Sequence, residues 1–247
     1  LFWENSTAGL VGAGEAYDDG LGGGFIIDGT LEGVYVITGD CNPIGGGGGG
    51  PCDQANATPA GGVENGRGCS ANNNWTVAND FIVAAGENAE VTSIIPNLLV
   101  GVGATILSAD VSLWDDAGGL PGTIISTQAG VVPTSQPMIG TAFGLDLLAV
   151  TLDLTPLALP GDAGTDTSYW ISIQVTTSDG GNAFWEDNSV NVIGEFLAFE
   201  NNGAGWTIPE VRDGVYTYVA NCTPIGGGGP CDQMTVTPAG GVENGRG

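Results

Sequence analysis

The residues of this chain that could do chemistry are carboxylates and thiols. The sequence holds 28 acidic residues against three basic ones, and it has no histidine. All three basic residues are arginines, so lysine is absent as well. Without histidine neither a Ser-His-Asp nor a Cys-His arrangement can form, and the usual zinc sites lose a main ligand. Without lysine there is no Schiff base, no P-loop lysine and no lysine-to-asparagine isopeptide bond.

One pair of carboxylates stands beside a tryptophan, as in a cleft that hydrolyses sugars. Glu186 and Asp187 follow Trp185 directly, and two opposed carboxylates are the usual machinery of glycoside hydrolysis. Adjacent residues of a strand point to opposite faces, however, so these two do not form an opposed pair by themselves. The sequence therefore predicts that the chain is not an enzyme.

Two acidic turns suggest calcium. The segment WDDAGG offers Asp115 and Asp116, and GDAGTD offers Asp162 and Asp166, all of them hard oxygen ligands in turns that could also lend carbonyls. The competing interpretation is that aspartate and glycine simply make these turns, since neither segment has the spacing of an EF-hand loop. The expectation is no cofactor, with structural calcium at these aspartates as the alternative.

Two tryptophans are candidates for contact with a ligand or a neighbour. Trp170 falls on the polar face of the alternating segment TSYWISIQV, and Trp75 follows a run of asparagines. Either ring could stack on a sugar of a surface polysaccharide or pack against a neighbouring repeat. Packing is the favoured interpretation for Trp170, because an array must cover apolar surface between its units.

Five cysteines offer redox chemistry, and several pairings are open. In an oxidising extracellular setting at least two should pair. Small rings could join Cys41 to Cys52, or equally Cys222 to Cys231. A clamp could join Cys52 to Cys222, so that tension along the chain passes through the disulfide, and a short loop could join Cys52 to Cys69. Each repeat holds three cysteines, so one stays free or bridges neighbours.

The elements that must position these residues belong to a repeat. Residues 58–68 recur unchanged as 237–247, an offset of 237 − 58 = 179, and Cys41 matches Cys222 at an offset of 181. The motif FWEN is answered by FWED, and EGVYV by DGVYT. The period of about 180 residues is typical of a tandem array.

The repeat predicts the division of the chain. We expect the C-terminal part of one repeat at 1–44, a glycine linker at 45–51, a complete repeat at 52–222, a second linker at 223–230 and the start of the next repeat at 231–247. The outer segments should look incomplete, with their missing strands supplied by adjacent copies or by further parts of the array. A closed domain made of 1–41 alone would contradict this expectation.

Composition and charge bound the class of protein. Although glycine is abundant, 42% of the residues are apolar and 18 are aromatic (6 Trp, 5 Tyr and 7 Phe), which is enough to build a core. The net charge of −25 repels nucleic acid and anionic lipid, so both are excluded as partners. No apolar run reaches the length of a membrane span, so no membrane insertion is expected in this segment.

Strand-like alternation recurs along the central repeat and predicts its fold. In TSYWISIQV every second residue, from Tyr169 to Val175, is apolar, which is the pattern of a half-buried strand. Eight similar runs are separated by turns rich in glycine, proline and aspartate. They are NDFIVAA, EVTSIIPNLLV, SADVSLWDD, GTIISTQ, LLAVTLDL, NAFWED, GEFLAFE and GVYTYVA. The predicted fold is all-β, an antiparallel β-sandwich of jelly-roll type, repeated and joined by glycine-rich linkers.

The segments GGVENGRGCS, VANDFIVAAG, DVSLWDDAGGLPGTIIS, YWISIQVTTSDGG, FWEDNS and DGVYTYVANCTPIGGGG together resemble a known family. They are similar to repeat domains of very long secreted surface proteins of Bacteroidota, which are exported by type 9 secretion and organised like the SprB-type adhesins of gliding cells. The resemblance covers the whole repeat. It implies a non-catalytic β-sandwich strung many times along an extracellular chain at the cell surface.

Two functions follow as hypotheses. The first is a structural segment of a long surface filament or adhesin, whose partners are neighbouring repeats of the same protein and whose work is reach, cohesion and contact. The second is a carbohydrate-binding module repeated for avidity. A filament segment buries its conspicuous aromatics, whereas a binding module leaves an aromatic cleft open.

Overall fold

The structure, a computed structural model, describes residues 52–225 in full and, outside them, the backbone of several short strands. The chain forms two compact units, one of residues 43–226 and one that combines 1–42 with 227–247. The strands, numbered in chain order, are β1 Trp3–Ser6, β2 Glu15–Asp18, β3 Phe25–Asp28, β4 Glu32–Gly33, β5 Tyr35–Ile37, β6 Gly50–Pro51, β7 Gln54–Asn56, β8 Asn65–Gly68, β9 Trp75–Val83, β10 Glu87–Val100, β11 Ile106–Asp116, β12 Pro121–Val131, β13 Met138–Ala142, β14 Leu145–Ala149, β15 Leu152–Leu159, β16 Thr167–Thr177, β17 Phe184–Asn188, β18 Ala198–Asn201, β19 Asp213–Gly214, β20 Tyr216–Pro224, β21 Gln233–Thr235 and β22 Asn244–Arg246.

The larger unit is an antiparallel β-sandwich, as the sequence predicts. One sheet has five strands in the order β12-β11-β16-β9-β18, and the other has ten. The ten-stranded sheet is organised around the long strand β10, which pairs with β15 and β20 along its first part and with β14 and β17 along its second. All these pairings are antiparallel, so the class predicted from the alternating segments is confirmed. The jelly-roll assignment stays a prediction.

The core lies between the two sheets. Strand β16 contributes Ile171 and Ile173, and β10 contributes Ile94 and Leu98, all of them fully buried in one continuous cluster. Burying each large aliphatic side chain contributes about 1.5–3 kcal/mol. The alternation that predicted these strands therefore reflects the face that each strand turns to the opposite sheet.

The outer face of the five-stranded sheet differs from the expectation. The sequence places Trp170 on the polar face of its strand and favours packing against a neighbouring repeat, yet Trp170 is fully buried, and Ser172 on the same face is buried as well. Trp170 belongs to a small second cluster, against which Trp114 and Trp206 pack. The Trp114 indole N–H donates to Ser172 Oγ at 2.9 Å. Strand β16 is therefore covered on both faces, and Trp170 packs within its own domain instead of against a neighbouring repeat.

The smaller unit is built from both outer segments of the chain. Strand β1 pairs with β22 and with β4, β21 pairs with β5, and β2 pairs with β3. The sequence predicts that adjacent copies or further parts of the array supply the missing strands. In this structure β1 and β5 instead pair with β22 and β21 of the same chain.

Every predicted run overlaps an observed strand, but the agreement is not complete. The run LLAVTLDL is divided between β14 and β15, and the sequence does not predict the short strands β6, β7, β8, β13 and β19. Strand β20 extends to Pro224, and β6 pairs with it at Asn221 and Cys222, so both segments predicted as linkers contribute residues to strands. The rest of the two glycine runs lies outside the described residues. In the described part of the chain, no helix is long and apolar enough to cross a membrane.

Candidate functional site

The candidate site is the place where the beginning of the larger unit meets its end. We call residues 52–68, with strands β7 and β8, the head, and residues 184–222, with strands β17 to β20, the tail. Strand β7 pairs with β20, and β8 pairs with β17, both antiparallel. The chain therefore enters and leaves the sandwich on neighbouring strands, and we call this pairing the seam.

A disulfide closes the seam. Cys52 and Cys222 are bonded, with their Cα atoms 5.7 Å apart although 170 positions separate them in sequence. Of the pairings left open by the sequence, the clamp is the one present, and it excludes the rings and the short loop that would use Cys52 or Cys222. Cys69 is a free, fully buried thiol, and burial raises its pKa well above the usual range. Cys41 and Cys231 lie outside the described residues.

Two arginines converge on one buried carboxylate at the seam. Asp187 on β17 has no exposed surface, and Arg67 Nε and Arg212 Nη1 lie 4.0 and 3.6 Å from its two carboxylate oxygens. Arg67 Nη2 also meets Glu210 Oε1 at 3.2 Å, and Arg212 Nη1 meets Glu64 Oε2 at 3.1 Å. Both arginines of the larger unit are thus used to connect head, tail and the loop between β18 and β19.

The electrostatics of this cluster follow from burial. Loss of hydration raises the pKa of Asp187 to about 6, although Arg67 and Arg212 both act to lower it. The pKa of the exposed Glu210 is lowered, chiefly by its hydrogen bond from Arg67. The pKa of Glu64 is lowered by the Ser189 backbone N–H and then by the Ser189 hydroxyl, which both donate to it. The arginines therefore partly offset the cost of a charge placed inside the seam.

Glu186 is buried on the same strand but has different partners. The Thr58 hydroxyl and the Asn97 side-chain amide donate to its Oε2 at 3.0 and 2.8 Å. Its Oε1 has no hydrogen-bond partner among the described residues. Glu186 and Asp187 thus hold two separate sets of contacts, and both serve to attach the head to the tail.

Behind the seam lies a second pair of buried carboxylates. Asp80 Oδ2 accepts from the Glu195 N–H at 3.0 Å, and Asp213 accepts from the Ile193 and Gly214 N–H groups at 3.0 and 2.8 Å. Burial raises the pKa of each aspartate to about 7, and the charge of Asp213 adds to the rise at Asp80. These groups are therefore poised to change protonation near neutral pH.

Asn56 of the head connects this region to the tail. Its amide N–H₂ donates to the Gly214 carbonyl at 2.7 Å, and its Oδ1 accepts from the Asn188 amide at 3.1 Å. A cavity of about 440 Å³ opens beside it, lined in part by Thr58, Asn97 and Tyr216. The head thus contributes polar contacts as well as strand pairing.

The aromatic candidates lie in different environments. Trp75 is half-buried beside Phe184, with ring centroids 6.3 Å apart, and a pocket of about 230 Å³ beside them includes Phe199 and Arg67. Trp170 has no exposed surface, so its ring cannot stack on a sugar. Of the two candidates, Trp75 alone borders an open pocket.

The four aspartates proposed for calcium hold turns by hydrogen bonds. Asp116 accepts from the Gly118 and Gly119 N–H groups and from the Trp170 indole N–H, the last at 2.9 Å. Asp162 accepts from the backbone of residues 164 and 165, and Asp166 accepts from residue 85. Asp115 accepts from the Thr123 N–H. Among the described residues no group of three or more histidine, cysteine or acidic side chains is placed to hold a metal ion.

The ionic cluster of the seam is not among the features predicted from the sequence. A usable signal was present, because arginine is so rare here that its retention in both copies of ENGRG marks Arg67. Asp80 and Asp213 carry no such signal, since an aspartate next to an asparagine or glycine also fits an ordinary turn.

No family model matches the chain, and no curated protein matches it. The fold and the seam define it as an antiparallel β-sandwich whose first and last strands are paired and joined by a disulfide.

Proposed function

We propose that this chain is a structural repeat segment of an extracellular filament or adhesin at the cell surface, without catalytic activity, of the type 9 secretion and gliding-adhesin kind that its repeats resemble. The observation that carries the proposal is the Cys52–Cys222 bond, which lies where the repeat begins and ends. A force applied at the two glycine runs that flank this domain is loaded across the bond and the adjacent strands. The sandwich enclosed by the bond is shielded from tension.

The identical sequences at the seam support the same function. Residues 58–68 recur unchanged at 237–247, and the first copy supplies the head contacts of Arg67, Thr58 and Glu64 described above. If each copy of this segment has the same mechanical task, that task explains why its sequence is the same in both repeats. The oxidising conditions that the disulfide requires are those outside the cell.

Force measurement on the single domain tests the mechanical part. Handles are attached in the glycine runs at Gly45 and Gly228, and the chain is extended with and without reductant. Without reductant, no extension step from the enclosed segment is expected. After reduction, unfolding should release 170 residues, which corresponds to roughly 560–610 Å of chain. A step of that length in the oxidised protein would overturn the proposal.

Surface labelling tests the location. Antibodies raised against residues 52–222 should label intact cells that produce the protein. Labelling that requires permeabilised cells would contradict an extracellular filament.

The alternative is a carbohydrate-binding module, and the pocket beside Trp75 is the observation that favours it. At about 230 Å³ the pocket is smaller than the 300–1,000 Å³ typical of ligand sites, which is why we place this function second. Retention of the chain on a polysaccharide column, lost on Trp75→Phe or Trp75→Leu substitution, would support it over the filament.

A further inference from the structure

The strands of the smaller unit come from two different repeats. Residues 1–44 are the tail portion of the repeat that precedes the central domain, and 231–247 are the head portion of the repeat that follows it. Between them stands the complete central repeat. Strands β1, β4 and β5 are thus tail strands that precede the central repeat, whereas β21 and β22 are head strands that follow it.

These strands pair in the register of the intact domain. In the smaller unit Trp3 stands opposite Arg246, and Asn5 stands opposite Asn244. In the central domain the equivalent pairs are Trp185 with Arg67 and Asp187 with Asn65. The equivalence follows from the repeat, with offsets of 185 − 3 = 182 for the tail motif and 246 − 67 = 179 for the head.

The second head strand repeats the match. Gln233 stands opposite Ile37 and Thr235 opposite Tyr35, as Gln54 stands opposite Tyr218 and Asn56 opposite Tyr216 in the central domain. The tail strands also keep their mutual register, because Asn5 pairs with Gly33 as Asp187 pairs with Gly214. A slip of one residue would reverse the face of every side chain, so agreement in three separate pairings is specific.

We infer that heads and tails are exchangeable between repeats: the open strands of a tail are a docking surface for the head of a different repeat, here residues 231–247 of this chain. A tail strand that lacks a neighbour has unpaired backbone N–H and C=O groups. An added strand forms hydrogen bonds with these groups. The inference goes beyond the proposed function, because such an exchange would serve a filament and a binding array equally.

The cysteine spacing extends the match to a covalent bond. Cys52 precedes Gln54 by two residues, and Cys222 follows Tyr218 by four. Cys231 precedes Gln233 by two, and Cys41 follows Ile37 by four. With Gln233 opposite Ile37, the Cys41–Cys231 pair is the counterpart of the clamp, and we expect these two thiols to form a disulfide. An oxidised small-molecule disulfide such as oxidised glutathione accepts the two electrons and two protons that this bond releases.

Disulfide mapping of the unreduced full chain tests the inference. Cleavage after Arg67 and Arg212 in denaturant gives the peptides 1–67 and 213–246, and tandem mass spectrometry then breaks the Gly50–Pro51 and Gly229–Pro230 bonds. The expected links join 1–50 to 230–246 and 51–67 to 213–229. Links of 1–50 to 51–67 or of 213–229 to 230–246, or free thiols at Cys41 and Cys231, would overturn it.

A register test independent of the native cysteines completes the experiment. In the full chain with Cys41, Cys69 and Cys231 changed to serine, Asn5→Cys is combined with Asn244→Cys, which stand opposite each other. The matched control combines Asn5→Cys with Arg246→Cys, two residues out of register. The opposed pair should oxidise several-fold faster, since diagonal neighbours lie beyond the ordinary disulfide span. Equal rates for the two pairs would contradict the inferred register.

Discussion

The backbone of Gly68 passes directly against the indole of Trp75, so closely that a β-carbon at position 68 would overlap the Cε3 atom of the ring. Gly68 ends the head strand β8 and Trp75 begins β9. The final glycine of ENGRG is therefore required by the ring that lies over it.

Substitution Gly68→Ala should lower the free energy of unfolding by about 1–3 kcal/mol, because an added methyl group forces the indole or the strand to move. The matched control is Gly61→Ala, where an added β-carbon meets no atom within 4 Å. The control should change the unfolding free energy by no more than about 0.5 kcal/mol. Urea unfolding of both variants measures the difference, and equal stabilities would show that the ring accommodates the methyl group.

Removing the clamp should destabilise the domain. The substitutions Cys52→Ala and Cys222→Ala together release a loop closed over 170 positions, and we expect a loss of about 2–5 kcal/mol in the free energy of unfolding. With Cys41 and Cys231 replaced by serine in both proteins, reductant should bring the protein that has the clamp to the level of the double variant and leave the double variant unchanged. A variant as stable as the oxidised wild type would mean that the bond adds nothing to the paired strands.

Stability should depend on pH through the buried aspartates. Asp80 and Asp213 have folded-state pKa values raised from 3.8 to about 7 by burial, so the folded protein binds protons more tightly than the unfolded chain. Their destabilising effect is only partly developed at pH 7 and becomes complete at higher pH, and it is relieved as the pH falls toward the unfolded values near 4. The melting temperature should therefore rise between pH 8 and pH 5.

Substitutions identify the groups responsible for the slope of melting temperature against pH. Asp80→Asn should raise the melting temperature at pH 8 and flatten its dependence on pH, because the amide carries no charge to bury. Asp153→Asn on β15 is the control, since Asp153 is exposed and its replacement should leave the slope unchanged. A slope that survives both Asp80→Asn and Asp213→Asn would assign it to other groups.

A double-mutant cycle should reveal the ionic cluster of the seam. Arg212→Gln removes a cation 3.6 Å from the buried Asp187 and should cost about 1–3 kcal/mol at pH 8, where the carboxylate is charged. In an Asp187→Asn background the same substitution should cost clearly less, because no buried charge is left without its partner. Additive effects of the two substitutions would show that the pair is not coupled.

The sequence predicted the sandwich well because alternation directly reports which residues face the opposite sheet. It failed for Trp170, because period two cannot tell solvent from a second layer formed by Trp114 and Trp206, which are distant in sequence. The clamp was only one of several disulfide pairings that the sequence left open, because the distance between Cys52 and Cys222 depends on how the whole sandwich closes. Asp80 and Asp213 were missed for the same reason, as their burial arises from loops that no local pattern relates to them.

The bond between Cys52 and Cys222 also gives the chain a second covalent route across the domain. A single backbone break anywhere between residues 53 and 221, whether by a protease or by chemical damage, leaves both sides of the break attached through sulfur. The domain is severed only when the break is accompanied by reduction of that bond. A long array of such domains would therefore stay connected after a backbone break that would divide an array of β-sandwiches without this bond.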